Sequence, residues 1–279
     1  MAAVRIATSK RCLVLLVVML TGACGSILDD AKRAPSDAAD AATLIRVADR
    51  MRAEGAIEPA LNIYRKAEAA APSQAGPKIG EGEALLALGS YGQAGEAFSA
   101  ALRQAPRNPN ALRGLALALM RNGQPGLALE PLGRLAAVAP DEARTYSLAG
   151  IARDLMGDHA GAQARYRAGL ARVAGQPGLA TNLALSLALT GDFAGAVAVL
   201  QPLADRPDAT SRLRQNLALV YGLAGDTENA ARLGRFDLDD ASVATNLASY
   251  QRLRTLPPQE RTRALLIGGA TAGNVEPAS

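Results

Sequence analysis

Few side chains here are equipped for covalent or acid–base chemistry. The 279 residues include one histidine, His159, and two cysteines, Cys12 and Cys24. A metal-binding or catalytic His159 needs convergent partners, and there is no second histidine to join it. It stands two residues past Gly157, where a turn between helices is expected, and reads there as a solvent-exposed polar residue. The carboxylate pairs Asp29–Asp30 and Asp239–Asp240 read as solvated or capping groups rather than an acid/base dyad. The stretch GGATAGN, Gly268 to Asn274, echoes a phosphate loop, but Asn274 occupies the place of the lysine and no strand leads into it. No enzyme constellation emerges, and neither a cofactor nor a small-molecule substrate is implied.

The cysteines sit in a different context. Arg5, Lys10 and Arg11 precede an apolar run from Cys12 to Leu20, and no acid appears before Asp29. This is a basic segment followed by a hydrophobic segment of signal-peptide length, shorter than the roughly 20 apolar residues of a membrane span. Its end, Leu20-Thr21-Gly22-Ala23-Cys24, resembles the lipobox of bacterial lipoproteins, with leucine four places before the cysteine rather than three. That resemblance implies cleavage after residue 23 and lipidation of Cys24. Gly25, in place of aspartate after the cysteine, then implies the outer membrane. The alternative is an ordinary secretory signal cut at a site of small residues, with Cys24 incidental. Cleavage would remove Cys12 and leave one thiol, which cannot form an internal disulfide and which lipidation would consume.

The formal charge of +4 falls when the signal leaves, because 27 Lys and Arg then face 26 Asp and Glu. Such a balance lacks the concentrated basic face of a nucleic-acid binder, and 3% aromatic residues without tryptophan offer no stacking platform. A composition rich in Ala and Leu predicts an all-helical chain.

The elements that position these residues announce themselves by repetition. Gly55, Gly89, Gly123, Gly157, Gly191 and Gly225 recur every 34 residues, and Ala60, Ala94, Ala128, Ala162, Ala196 and Ala230 follow each by five. Four further on stand Tyr64, Phe98, Leu132, Tyr166, Leu200 and then Gly234, so the sixth unit decays. Seven before each glycine is a small residue: Ala48, Gly82, Ala116, Gly150, Ala184, Ala218. Each glycine can end a first helix in the left-handed conformation. Asp158, Asp192 and Asp226 can then cap the second. The small columns let the two helices approach while the large residue fills the gap to the next unit.

With Pro72, Pro106 and Pro140 closing three units, the pattern resembles the tetratricopeptide repeat. The resemblance implies an all-α, right-handed solenoid of about six helix-turn-helix units over residues 41–254. A capping helix within "ASVATNLASYQRLR" would complete it. Residues 1–23 are read as the signal, 24–40 as a lipidated tether and 255–279 as a flexible tail. In this family the first helix of each unit lines a concave groove for partner peptides. Carried over residue by residue, the groove is Ile45, Ile79, Leu86, Leu117, Met120, Ile151, Leu155, Leu185, Leu189, Leu219 and Leu223, with Arg113, Arg121 and Arg144 among them. Asn182, Asn216 and Asn246, each opening an Asn-Leu-Ala triplet, take the place of the family's ligand-holding asparagines, or else bond within the repeat. A solenoid that curls on itself would bury part of this face.

From Arg212 to Arg254 the chain is similar to the C-terminal end of the TadD family, tetratricopeptide lipoproteins of the tight adherence (Flp) pilus assembly system. The likeness lies in Arg-Gln-Asn-Leu-Ala running into Ala-Gly-Asp, then Asp237-Leu238 and a final Asn-Leu-Ala helix. It implies a non-catalytic adaptor on the periplasmic side of the outer membrane, serving the pilus secretin and other envelope assembly proteins. Another envelope machine (a type IV pilus pilotin, polysaccharide export, outer-membrane-protein assembly) is the alternative.

Overall fold

The computed structural model describes residues 39–173 and 175–267. Cys24, the signal segment, residues 24–38 of the tether and the GGATAGN stretch lie outside the described residues. Within them the chain runs as helix pairs: α1 (39–53) with α2 (Ile57–Ala70), α3 (Ala75–Ala87) with α4 (Tyr91–Gln104), and α5 (Pro109–Arg121) with α6 (Pro125–Val138). Then follow α7 (Ala143–Leu155) with α8 (His159–Arg172), α9 (Pro177–Leu189) with α10 (Phe193–Ala204), α11 (Ser211–Ala224) with α12 (Thr227–Gly234), and α13 (Asp240–Thr255) with α14 (Pro258–Leu266). Helices α3, α5, α7 and α9 start at residues 75, 109, 143 and 177, so the period of the helices is the period of the glycines.

The turns have the expected cause. All six repeat glycines take φ between +73° and +88°, a region closed to most side chains. The aspartates that follow then cap the second helices. Asp158 accepts from the Gly161 amide at 2.9 Å, Asp192 from Gly195 at 2.8 Å and Asp226 from Asn229 at 3.0 Å. Asp239, read above as a solvated or capping carboxylate, caps α13 through the Ser242 amide at 2.7 Å.

Packing between helices follows the columns. Phe98 is fully buried, with its ring against Gly82 and Gly114, where a Cβ would come within 2.8 and 2.3 Å of it. Tyr166 is buried in the same way against Gly150. The first helices of successive units pack on one another, α3 on α5, α5 on α7, α7 on α9, α9 on α11 and α11 on α13. Among the described residues the second helices show no such pairing. The first helices therefore form the crowded inner face of the curve and the second helices the outer one. In the sixth unit Gly234 stands where a ring would be, and Val243 of α13 comes to 3.0 Å of its Cβ position, so the next helix fills the space.

The reading of residues 255–279 as a flexible tail is corrected over its first half. Pro258 opens α14 at a first-turn position where its missing N–H costs nothing. Thr262, Leu265 and Leu266 are buried, and the helix lies back over α7 and α9. The apolar run Ala264–Ile267 has a place in the core, which the polar and Pro-rich sequence around it concealed.

Candidate protein-interaction groove

On the inner face of the first half, a cavity of about 260 Å³ opens between α3, α5 and α7. Leu86 and Leu117 form its apolar walls, with the buried Phe98 ring beneath them, and Glu83, Asn110, Arg113 and Arg144 form its polar rim. Arg113 is fixed there: its Nη2 donates to both oxygens of Glu142 at 2.6 and 2.7 Å, and its Nη1 to Asn110 Oδ1 at 2.9 Å. Arg52 pairs with Glu83 at 2.8 Å. Burial pushes the Glu83 carboxyl above its ordinary range, against the pull of Arg52. The rim thus holds oriented charges around apolar walls, a chemistry able to engage both the backbone and the apolar side chains of a peptide.

The structure separates the candidate residues. Arg113, Arg144 and Asn216 are half-buried on first helices. Ile151, Leu185 and Leu219 are buried to 6%, 0% and 2% exposure, so they are core rather than open groove. Met120 and Leu223 are buried likewise, whereas Ile45, Ile79, Leu86, Leu117, Leu155 and Leu189 remain half-buried. Asn182 is buried, and its amide donates to the Ser147 hydroxyl across α9 and α7. That is the within-solenoid role, and it replaces the reading of Asn182 as a ligand-holding residue. Asn246 is also buried. The inner face of α7 and α9 is covered by α14, which family positions alone could not reveal.

His159 is not the solvent-exposed turn residue its position suggested. Its Nδ1 lies 2.8 Å from Asp154 Oδ1, with the turn at Gly157 folding one against the other. The Asp154 carboxylate, wholly buried, also accepts from Ser186 Oγ at 2.7 Å and Tyr166 Oη at 2.9 Å. Burial pushes this carboxyl up, and its three partners oppose that shift. In a serine-nucleophile site the imidazole stands between hydroxyl and carboxylate. Here both bond the carboxylate directly and Ser186 is fully buried, so the cluster ties α7, α8 and α9 together. Among the described residues no three His, Cys, Asp or Glu side chains are grouped to hold a metal.

Repeat length, turn geometry and paired inner helices define the fold as a tetratricopeptide-repeat solenoid. Residues 85–150 match the family described as tetratricopeptide repeat. The chain is 31% identical over 137 residues to the heat-shock protein cognate co-chaperone sgt12 of Aspergillus fumigatus, a match covering 46% of this chain and 40% of that protein. It thus spans well under half the length of that relative. Among solved structures it resembles PilF of Pseudomonas aeruginosa, at 19% identity and a TM-score of 0.59, over 72% of this chain and 91% of that one. It also resembles PilW, a widely conserved type IV pilus biogenesis factor, at 16% identity and a TM-score of 0.63, over 74% of this chain and 97% of that one. At these identities the likeness is one of fold.

Proposed function

We propose that this chain is a non-catalytic adaptor, held by a lipid on Cys24 to the periplasmic side of the outer membrane, that grips envelope assembly proteins in its groove and assists a tight adherence pilus and its secretin. The observation that carries the adaptor role is the inner face itself, with charges fixed by Arg113–Glu142 and Arg52–Glu83 around the apolar walls Leu86 and Leu117. The anchor rests on the lipobox, and the pilus on the resemblance of Arg212–Arg254. A second reading, a type IV pilus or other envelope machine, fits the shared fold with PilF and PilW.

Cross-linked capture of the lipidated protein from its native envelope, with partners identified by mass spectrometry, separates them. Enrichment of a secretin with tight-adherence components, lost in L86E/L117E, supports the pilus and the groove. Enrichment of polysaccharide-export, barrel-assembly or type IV pilus components instead keeps the adaptor and discards the tight-adherence assignment.

A further inference from the structure

The helix α14 behaves structurally as a ligand. It is a nine-residue segment at the end of the described chain that keeps a contact with its neighbour α13 and lies mainly on the inner helices α7 and α9, which begin some 80 to 115 residues earlier in sequence. Its hold is modest, since Thr262, Leu265 and Leu266 are the residues it buries. A nine-residue helix has little stability of its own. Its polar attachment is Arg263, whose Nη2 reaches the Arg121 carbonyl at the C-terminal end of α5 at 3.5 Å, a cation on the negative pole of that helix. It also fills its seat incompletely. A cavity of about 590 Å³ remains between Met120, Leu155 and Met156 on the repeats and Gln259, Glu260, Arg263 and Ile267 on the C-terminal segment. Met156, on its wall, is 51% exposed.

We propose that the inner face of α7 and α9 is a second docking groove of the adaptor, for an amphipathic helix of a partner protein, and that α14 occupies it in the free chain until the partner displaces it. The seat specifies the partner. It is a helix longer than α14, with a pair of large aliphatic residues in the place of Leu265 and Leu266. It carries a basic residue in the place of Arg263, for the C-terminal pole of α5, and a further apolar residue that fills the cavity over Met120 and Leu155. This rests on the adaptor reading above and adds to it the site and its mode of regulation. Joined to α13 through Leu256 and Pro257, α14 competes at the high effective concentration of a short tether, and so keeps weak or incorrect helices out.

The test uses the full chain and a fluorescent, helix-stapled peptide of residues 256–267. The double variant L265D/L266D, which empties the seat, should bind this peptide at least tenfold more tightly than the unaltered chain. Equal binding by both, or no binding by a folded variant, overturns the proposal. Should the variant fail to fold, hydrogen exchange on the unaltered chain decides. Excess isotopically heavy peptide should speed exchange at residues 258–266 and leave α13 unchanged; no change there overturns it. A dimer of the unaltered chain that dissociates in L265D/L266D would seat a second copy's α14 in the groove and also overturn it. Partner capture that persists while peptide binding is absent removes this groove alone and keeps the adaptor.

Discussion

The Asp154 cluster shows how single residues depart from the repeat for a physical reason. The position twelve before the large residue of each unit reads Arg52, Leu86, Met120, Asp154 and Ala188, against Tyr64, Phe98, Leu132, Tyr166 and Leu200. A charged side chain appears only where the large residue carries a hydroxyl. Arg52 Nε donates to Tyr64 Oη at 3.3 Å, and Tyr166 Oη donates to Asp154. A buried phenol needs a partner, so the two positions vary together. This signal is present in the sequence and pairs Asp154 with Tyr166, whereas the burial of Asp154 belongs to the packing, since Arg52 at the equivalent place stays half-buried and Tyr64 Oη also donates to Asp49. The contributions of Ser186 and His159 depend on how α8 and α9 stack and could not be read there. Asp154→Ala leaves the hydroxyls of Tyr166 and Ser186 buried without their acceptor, at about 1–3 kcal/mol for each such group. It should lower the urea midpoint well below that of Ser186→Ala, which removes one donor and costs roughly 1 kcal/mol. Equal midpoints for the two variants would show that the cluster does not act as a unit.

At the scale of helices, caps and turns were legible because each depends on one residue type at one spacing: glycine for φ > 0, aspartate for the amide three residues on. The closing elements were less so. The Asp237-Leu238 pair, seen in the sequence only as part of a resemblance, has a structural task. Nε and Nη2 of Arg214 on α11 donate to the two oxygens of the Asp237 carboxylate in the turn between α12 and α13, and Arg214 Nη1 donates to the Ala209 carbonyl at 2.7 Å. The tie holds the last full unit where its second helix is only eight residues long. Hydrogen bonding from Arg214 pulls the Asp237 carboxyl below its ordinary range. With the folded value below the unfolded one of about 3.9, the contribution is fully present above that pH and is lost as pH falls through the folded value. The urea midpoint should fall between pH 5 and pH 3 by less in Asp237→Asn than in the unaltered chain. An identical fall in both would show that the tie contributes nothing to acid stability.

Over the whole molecule, the repeats divide into two inner faces, one open around Leu86, Leu117 and Arg113 and one occupied by α14. A sequence period reports which residues share a face and says nothing of what lies on it, so the solenoid was legible and its covered half was not. In the proposal the N-terminal segment decides where these faces work. If Cys24 carries the acyl chains its lipobox implies, each buried methylene adds about 0.8 kcal/mol and more than one chain makes the attachment stable. Residues 24–38, even if fully extended, would reach at most about 54 Å, so the proposed lipid would keep the repeats close to the bilayer. No helix among the described residues is long and apolar enough to cross a membrane. Cys24→Ser should therefore move the protein from the detergent-dependent membrane fraction to the soluble fraction. Its thermal unfolding should stay unchanged, since residue 24 precedes the first repeat in sequence by more than a dozen residues. Retention after a high-salt wash would locate the attachment elsewhere in the chain and remove the lipid anchor from the proposal, while the two grooves would stand on their own tests.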